Sequence, residues 1–359
     1  MKLLYLINTL YHSGGMERVL AEKTNYLADA GNEVTILTFH QRGRSPFFPL
    51  RDSVRLVDVD TNINLPFLKP LYRRRLRKFI LENKPDVCIS LCGRDLGVLA
   101  GMDGLPCIRM AEFHFSYESF RIRGRSGQLR RMSKAISKLD WFVVLTREDM
   151  QAWTKVTSRI SQIYNPSPFG REERASLERR HCICAGRLEA QKNYCDLIKA
   201  WALVNRKHPD WVLDIYGSGS QEKDIRALIR ELSLEDSIKI HKPVAHIKEK
   251  MLESSILLMT SIYEGFPMVL LESFSIGLPA VVYACPCGPS EIIENGRNGF
   301  TVGVNDIEGF AAKVCEVMES TPLRKSMGEA AFTKSAGFSK EAVMPQWTEL
   351  LDKLIQNRL

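Results

Sequence analysis

The sequence lacks the long apolar runs that membrane-spanning helices need. No segment approaches the roughly eighteen uninterrupted apolar residues that mark a spanning helix. The N-terminal stretch 'MKLLYLINTLYHSGG' resembles a signal peptide only weakly, because Asn8 interrupts its apolar part and no small-residue cleavage site follows. We therefore expect a first buried strand here, and a cytoplasmic protein.

Paired cysteine motifs are also missing. The chain has nine cysteines, an odd number, and no C-x-x-C pair; most lie in apolar runs such as 'DVCISLC' and 'HCICAG'. Cys285 and Cys287, in 'CPC', stand too close together for a zinc pair and have no histidine nearby. The sequence thus gives no support for a zinc ribbon or a thioredoxin-type site and predicts buried free thiols in a reducing compartment.

The common phosphate-binding motifs are absent as well. Neither G-x-G-x-x-G nor a Walker loop occurs, so we expect no dinucleotide enzyme and no ATPase. Gly14 and Gly15, in 'SGGMER', would let a backbone approach a ligand at a helix N-terminus. A tight turn without a ligand explains them equally well, and Gly217 and Gly219 in 'YGSGSQE' are typical of a turn after a strand.

Acidic residues are outnumbered, which gives a net charge of +8 and a pI near 9.0 and indicates an anionic partner. The excess lies mainly in 'FLKPLYRRRLRKFI' and 'RIRGRSGQLRRMSK'. In the first of these, Leu68, Leu71, Tyr72, Leu76, Phe79 and Ile80 follow helical spacing, with another face formed by Arg73, Arg74, Arg77 and Lys78. A basic amphipathic helix suits an anionic membrane surface or a lipid diphosphate, and a solvated helix face is the alternative. Aromatic residues are too sparsely interleaved for nucleic-acid binding.

What the chain does contain is a repeated alternation of apolar strands and amphipathic helices. 'KLLYLI', 'EVTILTF', 'DVCISL', 'PCIRMAE' and 'WFVVLT' are separated by helical or loop-like sequence, and the pattern restarts after 'IYNPSPFG' with 'HCICAG', 'WVLDIYG', 'IKIHKP', 'SILLMTS', 'PAVVYA' and 'GFTVG'. This alternation of strands and helices predicts an α/β protein of two domains, each with a parallel sheet covered on both faces. The last segment, 'FSKEAVMPQWTELLDKLIQNRL', has an apolar stripe that needs a surface to pack on.

Two segments that follow strands carry charged residues suited to a nucleotide sugar. In 'CAGRLEAQKN', Arg187 and Lys192 stand between a strand and a helix, where two cations suit a diphosphate. The alternative is a solvated loop in which both pair with Glu189. In 'SIYEGFPMVLLES', Glu264 leaves a buried strand and Glu272 lies inside the helix that begins at Pro267. Carboxylates accept paired sugar hydroxyls, and a helix N-terminus attracts phosphate.

These segments resemble the retaining GT-B glycosyltransferases of family 4. 'EGFPMVLLE' is similar to the E-x7-E element of that family, and 'SGGMERVL', 'YNP', 'AGRLEAQKN', 'GPSEII' and 'NGFTV' follow in the family's order. Within the family, the chain is similar to the amylovoran- and capsule-type enzymes and to those that build lipid-linked oligosaccharides. The resemblance implies two Rossmann-like domains with parallel sheets facing an interdomain cleft, and a C-terminal helix that crosses back to the first domain. We expect an acceptor-binding domain over residues 1–168, a nucleotide-sugar-binding domain over 169–338 and the returning helix over 339–359.

The resemblance also implies residue roles. Arg187 and Lys192 would hold and neutralise the donor diphosphate, Glu264 would contact the transferred sugar, and Glu272 would bind the ribose. Further donor-binding residues would be Gly15, Gly217, Pro243, Gly265, Phe266, Pro267, Met268 and Val269. Many relatives place an acceptor-side histidine directly after a glutamate; here 'AEFHFSYE' separates Glu112 from His114, which we nevertheless assign as catalytic. Relatives often read G-R-V at the base pocket where this chain has 'HKPV', and Pro243 has no N–H to donate.

The function expected from residues and resemblance together is the retaining transfer of a hexose or N-acetylhexosamine. The donor would be a nucleotide sugar, expected to be UDP-linked, and the acceptor a growing surface glycan on a lipid diphosphate, at the inner face of the cell membrane. No metal or other cofactor is expected, and 'DVD' at Asp58–Asp60 is interpreted as a strand end rather than a metal motif. Two alternatives stay open: a GT-B epimerase or hydrolase of the nucleotide sugar, and a non-catalytic nucleotide-sugar- or phospholipid-binding protein.

Overall fold

The structure, a computed structural model, describes residues 1–63, 65–244 and 246–358. The chain forms two compact units. Unit 1 contains Met1–Asn165 and the chain from Glu341 on, and unit 2 contains Pro166–Lys340. The chain first passes from unit 1 to unit 2 between Asn165 and Pro166. This point lies at the start of the Pro- and Gly-rich segment, a few residues before the boundary expected after residue 168.

Unit 1 alternates strands and helices. Its elements before the crossing are β1 (Lys2–Ile7), α1 (Gly15–Asp29), β2 (Glu33–Thr38), β3 (Val54–Asp58), α2 (Lys69–Asn83), β4 (Val87–Ser90), α3 (Leu96–Ala100), β5 (Ile108–Phe113), α4 (Tyr117–Ile122), α5 (Ser126–Ile136), β6 (Trp141–Val144), α6 (Arg147–Trp153) and β7 (Ile160–Gln162). Within the described residues, the strands form a seven-stranded sheet in the order β3-β2-β1-β4-β5-β6-β7, with every pairing parallel.

The sheet of unit 1 is buried on both faces. For this reason its strands are continuous apolar runs in the sequence and do not alternate apolar with polar residues. Side chains of β1 divide between two core clusters: Leu4 and Leu6 pack with α2, α3 and α5, whereas Leu3, Tyr5 and Ile7 pack with α1. The two basic segments of the sequence therefore form helices on the same face of this sheet.

Unit 2 repeats the same architecture. Its elements are β8 (His181–Ala185), α7 (Tyr194–Lys207), β9 (Val212–Tyr216), α8 (Glu222–Glu231), β10 (Ile238–His241), α9 (Ile247–Leu252), β11 (Ile256–Met259), α10 (Met268–Ser275), β12 (Ala280–Tyr283), α11 (Pro289–Ile292), β13 (Gly299–Val302), α12 (Ile307–Glu319) and α13 (Thr321–Ser335). The described strands form a six-stranded parallel sheet in the order β10-β9-β8-β11-β12-β13. β8 and β11 are central neighbours, so the loops that leave their carboxyl ends lie side by side.

The C-terminal helix, α14 (Lys340–Gln356), packs in unit 1, as the resemblance implied. Its apolar stripe joins the core cluster that contains β1 and α1, through Val343, Met344, Trp347, Leu350 and Leu351. The stripe that the sequence left without a partner thus completes the second face of the sheet in unit 1.

Candidate active site

In unit 2, a lysine and a glutamate meet at the carboxyl ends of the central strands. The loop after β8 ends in a short 3-10 turn, Ala190–Lys192, and the loop after β11 carries Glu264. Lys192 Nζ lies 2.6 Å from Glu264 Oε1, with the two side chains 17% and 9% exposed. The pair is therefore largely shielded from water while its cation keeps an open side.

Gln191 fixes the geometry of this pair. Its side-chain Nε2 donates to the backbone carbonyl of Tyr263 at 2.9 Å, and its backbone carbonyl accepts from the amide of Ile262 at 2.9 Å. Arg187 Nη2 donates to Gln191 Oε1 at 3.4 Å. Gln191 Nε2 also lies within 3.4 Å of Glu264 Oε2. This one residue thus fastens the β8 loop to the β11 loop and brings Arg187 into the same network as Lys192 and Glu264.

The alternative in which both cations pair with Glu189 is wrong for Lys192. The Glu189 carboxylate accepts hydrogen bonds from the amide and the hydroxyl of Ser220, at 3.0 and 2.7 Å. These bonds hold the pKa of Glu189 below its usual value. Glu189 therefore fastens the β8 loop to the turn after β9, and Lys192 pairs with Glu264.

The helix after Glu264 is positioned by a glycine. α10 begins at Met268, one residue later than predicted, and Pro267 is its N-cap. Gly288 has a φ of +97°, and a Cβ there would come within 2.4 Å of the Pro267 ring, so the loop after β12 packs directly against the start of the helix. The amide of Glu264 also donates to the carbonyl of Pro286, at 3.4 Å. Gly288 is thus a structural requirement of this loop.

The remaining donor-side residues of the sequence prediction surround the Glu264 loop or lie on neighbouring loops. Phe266 is buried edge-on against Phe338, Glu272 is buried one turn into α10, and Gly265, Met268 and Val269 are half-buried. Gly217 packs on the β8 loop so closely that a Cβ would lie 2.0 Å from the carbonyl oxygen of Gly186. Pro243 is exposed in the loop after β10.

In unit 1, His114 belongs to a buried polar cluster. Strand alternation in β5 sends Phe113 into the aromatic core and places Glu112 and His114 on the opposite side. His114 Nε2 lies 3.1 Å from Glu112 Oε1. The same oxygen accepts a close hydrogen bond from the Lys23 ammonium group of α1, and Lys23 and Glu112 are 1% and 0% exposed.

Charge balance governs this cluster. Burial alone would raise the pKa of Glu112, but Lys23 and His114 overcome that effect and lower its pKa to about 2. Burial lowers the pKa of Lys23, and Glu112 partly offsets this. The Lys23 ammonium also lies 3.7 Å from the ring centroid of Trp347 in α14. The C-terminal helix therefore covers the cation that holds Glu112, beside which His114 lies.

Comparisons with known proteins match this architecture. Residues 13–168 match the family model of glycosyltransferase family 4, and residues 170–334 match that of the group 1 glycosyl transferases. Over 375 residues, the chain is 29% identical to the amylovoran biosynthesis glycosyltransferase AmsD of Erwinia amylovora, covering 98% of this chain and 99% of that protein. The chain belongs to the family 4 and group 1 glycosyltransferases.

Other similar proteins add detail. This glycosyltransferase is 26% identical over 361 residues, with 98% of both chains covered, to a Campylobacter jejuni α-1,4-N-acetyl-D-galactosaminyltransferase whose name specifies an undecaprenol-diphosphate-linked glycan. An exopolysaccharide phosphotransferase of Streptomyces coelicolor is 29% identical over 396 residues, which cover all of this chain but 41% of that protein. The structure of Anabaena HepE in complex with UDP-glucose superposes with a TM-score of 0.81 at 19% identity, covering 98% and 100% of the chains. This likeness establishes the GT-B fold.

The basic residues predicted on α2 of the glycosyltransferase divide into two pairs. Arg73 and Arg77 donate to the backbone carbonyls of Gly101 and Asp103, at 2.8 and 3.1 Å, beside the end of α3. Arg74 and Lys78 are exposed. The predicted apolar face needs a correction: Tyr72, Leu76 and Ile80 are buried, but Leu71 is 41% exposed, because it lies on the same side of the helix as Arg74 and Lys78.

The D-x-D segment has a structural use. Asp58 ends β3, and its carboxylate accepts from the hydroxyl of Thr38 and from the amides of Gln41 and Arg42, at 3.0 to 3.1 Å. In the described part of the chain, no group of three or more His, Cys, Asp or Glu side chains is arranged to hold a metal ion. Nor does any helix in that part have the length and apolarity to cross a bilayer. All nine cysteines are free thiols.

Several residues of the site escaped sequence analysis. Lys23 looks like an ordinary helix-surface lysine, and only the fold shows that it faces the interior. Gln191 stands inside the quoted 'EAQKN' between the two cations, so its position was a signal, but its amide gave no hint of the loop that it fastens. Gly15 is the first residue of α1 and is exposed in unit 1.

Proposed function

We propose that the protein transfers a hexose or N-acetylhexosamine from a UDP-sugar to a lipid-diphosphate-linked glycan, with retention of the anomeric configuration. The observation that carries the proposal is the Lys192–Glu264 pair, held 2.6 Å apart on neighbouring loops together with Arg187. Support for the donor and acceptor classes comes from the UDP-glucose complex of HepE and the undecaprenol-linked substrate named for the Campylobacter jejuni relative.

Lys192 and Arg187 would bind the donor diphosphate. Glu264 holds Lys192, and Arg187 contacts Gln191 at 3.4 Å, so positive charge is already present at this edge of the sheet when negative charge develops on the leaving diphosphate. The N-terminus of α10 adds the positive end of the helix dipole, which favours a phosphate. Glu264 would orient a sugar hydroxyl with the carboxylate oxygen that does not face Lys192.

In this mechanism the acceptor hydroxyl attacks the anomeric carbon on the face from which the diphosphate leaves. The bond between that carbon and the phosphate oxygen breaks as the new glycosidic bond forms, and the acceptor proton passes to the departing diphosphate. No protein carboxylate acts as a nucleophile. His114, which lies beside Glu112, would orient the acceptor hydroxyl or the transferred sugar.

We further propose that the reaction needs no metal ion, because Arg187 and Lys192 supply the positive charge that a divalent cation would otherwise provide at the diphosphate. Steady-state rates of the purified enzyme in EDTA test this. Full activity is expected, and a loss restored by added Mg²⁺ or Mn²⁺ would contradict it.

The main test is sugar transfer from UDP-sugars to extracted lipid-linked glycans, with the anomeric configuration of the product determined by NMR. We expect Arg187→Ala to lower turnover about a hundredfold or more. Arg206→Ala, an exposed arginine near the end of α7, is the matched control and should retain full activity. A near-wild-type rate for Arg187→Ala would contradict the role of this residue.

The same assay without acceptor separates the alternatives. A transferase releases UDP at full rate only when acceptor is present, whereas a hydrolase or epimerase turns over the donor alone. A binding protein would retain the donor without turnover under either condition.

A peripheral membrane location is also proposed, from the exposed face of α2 formed by Leu71, Arg74, Lys78 and Leu81. Leu71 and Leu81 are 41% and 44% exposed, and Phe67, just before the helix, is 73% exposed. Apolar side chains among cations suit insertion at an anionic lipid surface.

Cosedimentation with phosphatidylglycerol and phosphatidylcholine vesicles tests this location. Arg74→Glu/Lys78→Glu should lower binding to the anionic vesicles at least about tenfold, since each cation near such a surface contributes about 1 kcal/mol. Lys223→Glu/Arg230→Glu on α8 makes the same change in charge and should have little effect. Equal binding by both double variants would contradict the assignment.

A further inference from the structure

Two loops at the carboxyl edge of the sheet in unit 1 are fastened into one surface. They follow β1 and β2, which are neighbours, and cover residues 8–14 and 39–50. The amide of Phe47 donates to the carbonyl of Leu10, and the amide of Leu10 donates to Gln41 Oε1, each at 2.8 Å. The carboxylate of Asp58, at the end of β3, accepts hydrogen bonds from the amides of Gln41 and Arg42. The second loop is therefore built to stand in a fixed position against the first.

This frame presents aromatic rings and arginines side by side. Phe47 is 45% exposed and lies 5.0 Å from Phe48, measured between ring centroids. Arg44 lies over the ring of Tyr11 at 4.5 Å, and Arg18 lies over Phe48 at 5.6 Å. We call Tyr11, Arg44, Phe47 and Phe48 the edge surface.

Burial does not explain the edge surface. Phe113, Phe142 and Trp153 form the aromatic core of the same unit and are completely buried. Unit 1 therefore packs other aromatic side chains in its interior, whereas Phe47 stays at the surface. An aromatic face that stays in water offers its negative quadrupole to the C–H groups on the face of a sugar ring. Arginine adds a planar donor pair that matches a carboxylate or a phosphate.

Location also favours a sugar of the acceptor chain. β1 and β5 are two strand spacings apart in the sheet, about 10 Å, and the β2 loop stands roughly one spacing further from His114. An oligosaccharide spans that distance along the sheet edge, whereas a single sugar does not.

We propose that the edge surface binds a sugar residue of the acceptor glycan that carries a negatively charged substituent, a carboxylate or a phosphate. The ring of that residue would stack on Phe47 or Tyr11, and its anionic group would face Arg44. The inference rests on the proposed function for the identity of the acceptor, but the binding itself needs neither donor nor turnover.

Isothermal titration of the full-length protein tests the proposal with three probes. They are a disaccharide of glucuronic acid and N-acetylglucosamine, the same disaccharide with its carboxyl group reduced to an alcohol, and inorganic diphosphate. The acidic disaccharide should bind about tenfold more tightly than the reduced one, the difference expected for one charge-assisted contact of about 1.4 kcal/mol. Arg44→Gln should remove that difference, and Phe47→Leu should weaken both disaccharides.

Matched controls come from the same unit. Arg74→Gln, on the exposed face of α2, and Phe67→Leu, just before that helix, make the same chemical changes and should leave the affinity for both disaccharides unchanged. Equal affinity for the acidic and the reduced disaccharide, or no binding of either, would overturn the proposal. Displacement of the acidic disaccharide by diphosphate from the wild type, but not from Arg44→Gln, would assign the surface to the lipid diphosphate and also overturn it.

Kinetics distinguish failure of this inference from failure of the proposed function. An enzyme that transfers sugar to an acidic acceptor with the same KM before and after Arg44→Gln would refute the edge surface and leave the transferase proposal intact. Loss of transfer in Arg187→Ala, with disaccharide binding preserved, supports both.

Discussion

Two lysine–glutamate pairs, one in each unit, use the same chemistry in opposite surroundings. Lys192 and Glu264 join neighbouring loops of unit 2 and are 17% and 9% exposed. Lys23 and Glu112 join a helix to a strand in unit 1 and are 1% and 0% exposed. The first pair keeps an opening through which a ligand can reach the cation, and the second is covered by the ring of Trp347.

The difference follows from the cost of removing charge from water. A sealed pair gives up the hydration of both ions and can exchange neither partner, so it suits a fixed structural task such as keeping the Glu112 carboxylate in place beside His114. A pair with an open side keeps part of its hydration and can turn its cation toward an incoming diphosphate at small cost. Exposure, rather than residue type, separates the proposed catalytic pair from the positioning pair.

The largest effect is expected from Lys23→Met. This change leaves Glu112 as a buried carboxylate with a single remaining partner in His114, and the loss of one member of a buried pair costs about 3–5 kcal/mol of unfolding free energy. Urea denaturation measures it. A loss below about 1 kcal/mol would show that water reaches Glu112 and would remove the contrast between the pairs.

Lys192→Met should have the reverse profile. Turnover should fall about a hundredfold, because the leaving diphosphate loses a preorganised cation, whereas the unfolding free energy should fall by only about 1 kcal/mol, as is typical of partly solvated pairs. Lys199→Met, an exposed lysine on α7, is the control for both measurements. A stability loss as large as that of Lys23→Met would place Lys192 among the structural ions.

Asp95 sharpens the comparison, because it is a buried carboxylate of unit 1 that pairs with no lysine among residues 1–63, 65–244 and 246–358. Burial raises its pKa to about 6, and Ser90 only partly offsets this. The folded state therefore binds the Asp95 proton more tightly than the unfolded chain does, so the contribution of Asp95 to stability falls as the pH rises from about 4 through 6.

Asp95→Asn should consequently raise the unfolding free energy by about 2–3 kcal/mol at pH 8 and have little effect at pH 4. Thermal unfolding at both pH values measures this, with Asp103→Asn, an exposed aspartate, as the control. A stabilisation that does not depend on pH would mean that the charge of Asp95 is not its cause.

The smallest net effect is expected when both members of the sealed pair are replaced. Lys23→Met/Glu112→Leu leaves no unpaired charge in the core, so its unfolding free energy should return to within about 1 kcal/mol of the wild type. The His114 position would lose its carboxylate partner, and transfer should remain slow although the fold is restored. A double variant as unstable as Lys23→Met alone would show that packing, rather than charge, limits this site.

Much of the fold could be predicted from the sequence because both sheets are parallel and covered on two faces. Runs such as 'KLLYLI' and 'DVCISL' are apolar throughout, which is a strong signal for buried strands. β7, by contrast, contains three residues and gave no usable pattern. The apolar face of α2 was predicted one residue too wide at Leu71, because helical periodicity gives angular positions and not the width of the surface that a helix covers.

By itself, the sequence determined the two-domain α/β plan, the loops after β8 and β11 as the charged candidate site, and the family. Local composition and motif order carry that information, since a strand followed by a charged turn and a helix places its turn at the sheet edge whatever surrounds it. Only the tertiary structure decided that Lys192 pairs with Glu264, that Lys23 lies in the interior of unit 1, and that α14 covers it. Those facts join residues 72, 89 and 324 positions apart, and their charges are balanced only by neighbours that folding supplies.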